Sequence, residues 1–329
     1  MSARILYTFL FSCLLSLSMQ AQQDPMFTKY MFMPMAYNPA YAGTAKVLDM
    51  GILHRQQWWG IEGAPMTQAI NLHSPVEGKN IGLGLNMSLD QIANSRQFNV
   101  YGSFAYHIPI NKSVKLSIGM QGGVSNWAAD WTDLELEDLN DPAFQNLQPN
   151  LWLPNFGGGL YLFSEKWFVG LSAPMLINNA LRQETNNPNI PVAQQYRHYY
   201  LSGGVAIPIN SSMVFRPSLL LKHVGLFEKN ELNNVAAPTE MDVDLSLLFN
   251  NRLWVGASFR TALEVIDQSS TYDSVDFWIS MRFENGLRIG AAYDYTLTEL
   301  QGPAQGSYEI MLGYDLMRYK GKTTHVRYF

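Results

Sequence analysis

The sequence predicts an all-β chain: a transmembrane outer-membrane β-barrel of about fourteen antiparallel strands, with short periplasmic turns and longer extracellular loops. Three observations lead there. Short segments between about Val47 and Leu316 alternate apolar residues with small or polar ones, the connections between them alternate short and long, and the chain opens on an export signal and keeps no cysteine after it.

The first element is the signal. Arg4 gives it a positive start, residues 5–17 form an apolar run, and Ala21 supplies the small residue before an expected cleavage at Gln22. The only cysteine, Cys13, lies inside that run, so a chain cut there has no disulfide framework and no thiolate to serve as nucleophile or metal ligand. Leu10-Phe11-Ser12-Cys13 faintly resembles a lipoprotein processing site, but the apolar residues that follow would make an odd mature terminus. Past the signal no run approaches the ~18 apolar residues of a spanning helix. The composition is 47% hydrophobic and 15% charged with a formal net charge of -5, which disfavours nucleic acid as a partner and suits a chain that meets lipid. A mean hydropathy of -0.08 fits a barrel as well as a soluble chain, because apolar outer residues average with polar inner ones.

The second element, residues 22–46, is rich in Met and aromatics from Met26 to Tyr41, while Pro25, Pro34 and Pro39 prevent one continuous helix. It reads as a periplasmic or plug segment, with a docking site for periplasmic machinery as the alternative.

The strands follow over 47–316. They fall near 47–54, 66–73, 80–89, 97–108, 113–124, 153–163, 166–173, 197–208, 212–223, 240–249, 252–260, 273–283, 286–297 and 306–316. In the clearest, Val275, Phe277, Ile279 and Met281 alternate with Asp276, Trp278, Ser280 and Arg282, so one face is lipid-like and the other can face water. Connections after even strands are tight, as at Asn250-Asn251 and Glu284-Asn285-Gly286, whereas 125–152, 174–196, 224–239 and 261–272 are long. That asymmetry puts both chain ends in the periplasm, including a basic tail over 317–329. A soluble β-sandwich shares the alternation. It accounts less well for inner faces rich in Gly, Ser and charge, and an open sheet in lipid would leave backbone groups unpaired.

Two groups of residues are candidate sites. Inward charges on neighbouring strands form ladders: Arg216 beside Asp242 and Asp244, those beside Arg260, and Arg282 and Arg288 near Asp276, Asp294, Glu309 and Asp315. A selective pore would line its wall this way, and so would a lumen held shut by ion pairs. The other group is the corner His54-Arg55-Gln56-Gln57-Trp58-Trp59-Gly60-Ile61-Glu62-Gly63-Ala64-Pro65, where a five-donor guanidinium and two amides precede a chain reversal. It either pins the first hairpin inside the lumen or touches a secreted partner. The six histidines lack close metal-ligand spacing, the serines lack a nucleophile elbow, and the acidic run from Asp130 to Asp141 lacks the order of a calcium loop, so no cofactor and no metal is implied.

Asn38-Pro39-Ala40-Tyr41-Ala42-Gly43, then Arg55-Gln56-Gln57-Trp58 with Gly60 and Gly63-Ala64-Pro65, then Ile81-Gly82-Leu83-Gly84-Leu85 and the terminal Arg327-Tyr328-Phe329 together resemble the PorP/SprF family over the entire mature chain. Each motif alone is weak, and their order and spacing make the match specific. Trp59 and His54 depart modestly from the family pattern. The resemblance implies a non-enzymatic outer-membrane component of type IX protein secretion and gliding motility in Bacteroidetes. It also implies type IX secretion components as partners, and a secreted adhesin or its C-terminal targeting domain. The alternative from another class is a channel or transporter for small solutes.

Overall fold

The computed structural model describes residues 30–132, 148–181, 195–225, 238–263, 272–298, 302–316 and 328. The expected signal, most of the acidic run and the tail other than Tyr328 lie outside the described residues.

Fifteen strand segments carry the fold: β1 (Leu48–Gln56), β2 (Met66–Pro75), β3 (Ile81–Ile92), β4 (Ser95–Pro109), β5 (Lys115–Ala129), β6 (Asn150–Phe163), β7 (Trp167–Ala173), β8 (His198–Val205), β9 (Ile207–Asn210), β10 (Met213–Val224), β11 (Glu240–Phe249), β12 (Leu253–Ala262), β13 (Tyr272–Arg282), β14 (Leu287–Thr296) and β15 (Ser307–Leu316). Each neighbour in the ring pairs antiparallel, and the ring closes where β15 meets β1, with Gly51 opposite Gly313 on one side and Asn71 on the other. β8 and β9 both lie against β10 and form one strand interrupted at Ala206, so the barrel is closed by fourteen strands. Closure pairs every strand on both sides except the short β9 extension at one end, so the ring itself has no open edge for lipid to contact.

Alternation decides which side chain meets lipid. Phe277 and Ile279 are 60% and 51% exposed, while Asp276, Trp278 and Ser280 between them are 4% or less. The apolar outward residues therefore have no protein neighbour to bury them, and hydrocarbon supplies the environment.

Three details differ from the sequence expectation. The eighth strand does not end at Pro208 but continues to Asn210, with the turn at residues 211–212. Proline is tolerated there because β9 pairs only with β10, and a strand with one free side accommodates a residue lacking its N–H. β4, β5 and β6 run to 14 or 15 residues, absorbing both ends of the expected 125–152 loop. The β3–β4 connection shrinks to residues 93–94, with Ala93 at a positive φ of 45°. The two ends of the barrel are called here the turn end, at Leu48 and Leu316, and the loop end, at Gln56 and Ser307.

Candidate functional site

The lumen is occupied from within. Residues 30–41 form a 3-10 turn (Tyr30–Phe32), the four-residue helix α1 (Pro34–Tyr37) and a second 3-10 turn (Pro39–Tyr41), and Met33, Met35, Ala40, Tyr41 and Ala42 are buried at 3% exposure or less. The prolines set these breaks, as their fixed φ starts a short turn and blocks a long helix.

The Asn38–Gly43 stretch is the best anchored part. Asn38 accepts the Ala40 N–H at 2.9 Å, capping the turn, and donates through Nδ2 to the Leu160 carbonyl on β6 at 3.0 Å. Ser172 on β7 donates to the Tyr37 carbonyl at 2.7 Å, Ser117 on β5 to the Ala40 carbonyl at 2.6 Å, and His107 on β4 meets the Ala42 carbonyl at 2.9 Å. The Gly43 N–H donates to His73 Nδ1 on β2 at 3.2 Å. Backbone groups that leave secondary structure and are buried against a wall need such partners. Tyr41 fills the remaining gap edge-on between His73 and Tyr161, at centroid distances of 5.3 and 5.5 Å.

The facing wall is cut to fit. A Cβ added at Gly119 would overlap the Ala40 backbone, and one at Gly82 would overlap the Ala42 carbonyl. Gly82 and Gly84 belong to the Ile81–Leu85 stretch, so two motifs singled out separately in the sequence are the two sides of one contact. A second inward piece follows β7: Asn155 on β6 accepts from the Leu176 and Ile177 N–H groups at 3.0 Å each, and Gln121 on β5 donates to the Pro174 carbonyl at 2.9 Å.

The opposite wall, from β10 round to β1, carries charge. Arg55 Nη1 lies 2.7 Å from Asp294 and 2.6 Å from Glu309, all three at 3% side-chain exposure or less. Arg260 binds Asp242 through Nε and Nη2 at 2.7 and 3.0 Å, with Asp273 at 3.8 Å. Asp244 accepts from Ser258 and from the Trp278 indole, both at 2.7 Å, and lies 3.8 Å from Arg216. At the turn end Arg282 meets Asp315 at 2.6 Å, and Arg288 bridges Asp49 and Asp315 at 2.9 and 3.3 Å.

The ladders thus divide differently from the sequence grouping. Asp294 and Glu309 belong with Arg55, not with Arg282 and Arg288. Arg288 and Asp294 are six residues apart along β14, roughly 20 Å at a strand's rise, so they occupy different heights in the lumen. Asp276 sits at the upper level too, opposite Asp294 on β14 and Ser258 on β12. Asp49 was absent from the grouping, although its parity with Arg55 on β1 already places it inward.

The corner at the loop end joins the first hairpin to the last. Gln57 N–H donates to the Pro65 carbonyl at 2.9 Å and closes the loop. Gln56 reaches the same carbonyl, more weakly, at 3.4 Å. Trp58 contributes through its backbone, held at φ 44°, with its N–H donating to Ser307 Oγ at 3.2 Å. Trp59 exchanges two main-chain bonds of 2.8 Å with Gly306 and Gln305, and Gly63 accepts the Ala93 N–H at 2.8 Å. Gly60 and Gly63, at φ 99° and 73°, supply the left-handed turns, and Pro65 leads into β2. Three loops are therefore tied together across the β1–β15 seam.

Among the described residues no cluster of His, Cys, Asp or Glu has the geometry of a metal site, and no helix is long and apolar enough to cross a membrane. A closed barrel with lipid-facing alternation and an internally packed lumen defines an outer-membrane β-barrel protein. The family model for the type IX secretion system membrane protein PorP/SprF matches residues 19–314, and the chain belongs to that family. No curated protein matches the chain. Among solved structures it is similar to the P. putida toluene transporter TodX (TM-score 0.49, 9% identity, covering 86% of this chain and 93% of that one) and to the CymD monoaromatic hydrocarbon channel (TM-score 0.48, 11% identity, 88% and 94%). It is also similar to the KdgM porin (TM-score 0.38, 9% identity, 82% and 99%).

Proposed function

We propose that the chain acts without catalysis, as an assembly and docking component of type IX secretion and gliding, and that it supports export or surface attachment of a secreted adhesin-type partner. Family membership supports the secretion role. The observation that favours docking over solute transport is the seating of Tyr30–Gly43 in the lumen, where its main chain is hydrogen-bonded to β2, β4, β5 and β7 and its Asn38 side chain to β6. A solute path would have to break those bonds. In this reading the turn end faces the periplasm and the loop end, with the Arg55–Pro65 corner, faces outward.

Deletion of the chain in its own cell tests the proposal. The expected result is loss of one surface adhesin with unchanged uptake of small nutrients. Normal adhesin display with impaired uptake would replace this reading with the transporter one, as would a large steady conductance from the purified barrel in planar bilayers.

A further inference from the structure

We propose that the turn-end mouth of the barrel holds a peptide-binding site whose resident ligand is the chain's own C-terminal end. The site stands on contacts unrelated to secretion, and its test below does not use export as a readout.

The main-chain carbonyl of Tyr328 accepts a hydrogen bond from Arg216 Nη1 at 2.8 Å. Its side chain packs on the buried cluster of Ala206, Val214 and Leu248. All four contact residues lie at one place in the fold. Val214 and Arg216 open β10, Leu248 is next to last in β11, and Ala206 is the interruption between β8 and β9. Ala206 keeps the inward parity of Tyr200 and is 3% exposed, beneath the Tyr328 ring.

The donor is also held by contacts other than Tyr328. Arg216 is 5% exposed, its Nε donates to Ser246 Oγ at 3.2 Å, and its guanidinium lies 4.6 Å from the Trp254 ring centroid and 5.9 Å from that of Trp278. Sandwiching by two indoles and a hydroxyl fixes the planar fork, so little side-chain entropy is lost when Nη1 takes a carbonyl. A guanidinium offered to a main-chain carbonyl beside an apolar pocket that accepts one ring is the chemistry of a peptide segment carrying an aromatic side chain, as Tyr328 does.

Reach is sufficient. β15 ends at the turn end at Leu316, and twelve residue steps to Tyr328 allow about 40 Å of extended chain, more than the roughly 28 Å width of a cylinder of fourteen tilted strands. The tether also places the tail at an effective concentration on the order of millimolar, enough to keep a weak site filled in cis. The N-terminal segment holds the adjoining position on the same strand, since Tyr30 donates to Ser218 Oγ at 2.8 Å, two residues from Arg216.

Disulfide trapping in the full-length protein tests this. The chain's single cysteine is replaced (Cys13→Ser), and Tyr328→Cys is combined with Val214→Cys, then oxidised in outer membranes. The expected product is a monomeric cross-link in most molecules, forming at least tenfold faster than for Tyr328→Cys with Ile279→Cys on the lipid face. Equal rates for the two pairs would overturn the proposal, and a dimeric cross-link would show a second copy's tail in the site and overturn the cis assignment. Adding Leu248→Trp, which fills the ring pocket without touching Arg216, should slow the Tyr328–Val214 cross-link at least tenfold. An unchanged rate would mean that the pocket does not hold the tail.

Discussion

The two walls of the lumen hold their contents by opposite means. From β3 to β7 the wall has glycines at its closest contacts and grips another stretch of backbone mainly through short polar side chains such as Ser117 and Ser172. From β10 round to β1 it is rich in arginine and carboxylate, which bind chiefly one another. The first wall works by close approach, which any added atom spoils. The second works by charge compensation, which only loss of a partner spoils.

The largest effect should come from the charged wall. Arg55→Met leaves Asp294 and Glu309 buried side by side without their shared cation, and we expect a loss of about 3–5 kcal/mol in barrel stability. This would be read as a lower midpoint in heat-modifiability on gels, with the N-terminal segment still protected from protease. Gly119→Val attacks the other wall. Its side chain requires the Ala40 backbone to move, and we expect about 1–3 kcal/mol of destabilisation. Here residues 30–43 should become protease-sensitive while the charged wall stays intact; protection unchanged from the parent would mean that the glycine wall does not hold the segment. Ser117→Ala removes one donor from the Ala40 carbonyl and should cost about 1 kcal/mol. Smallest of all, Glu284→Gln breaks the exposed pair with Arg252 at the turn end and should leave the midpoint unchanged.

Much of this was legible in the chain before its fold was known. Alternation is a local property, so Phe277 against Asp276, or Ile289 against Arg288, declares its face from its neighbours alone. Turn residues such as Asn250 and Asn251, both at positive φ, mark the hairpins equally locally. What could not be read was height and partner. Whether Asp294 meets Arg288 on its own strand or Arg55 two strands away depends on the stagger of the ring, which one sequence does not state. The interruption at Ala206 was missed for a related reason, because Ile207 and Ile209 continue the apolar alternation across it. The N-terminal segment was legible in type, as prolines among aromatics, but its seat required Gly82 and Gly119 to be seen facing it.

One consequence follows from where the Asn38–Gly43 anchors lie. They reach β2 to β7, strands contributed by the first half of the chain, and they sit on a single concave surface. On a flat sheet His73 on β2 and Ser172 on β7 would stand five strand spacings apart, roughly 24 Å, which a segment folded into short turns does not span. The segment therefore stabilises the curved arrangement of β2 to β7 through bonds that do not depend on the β1–β15 seam.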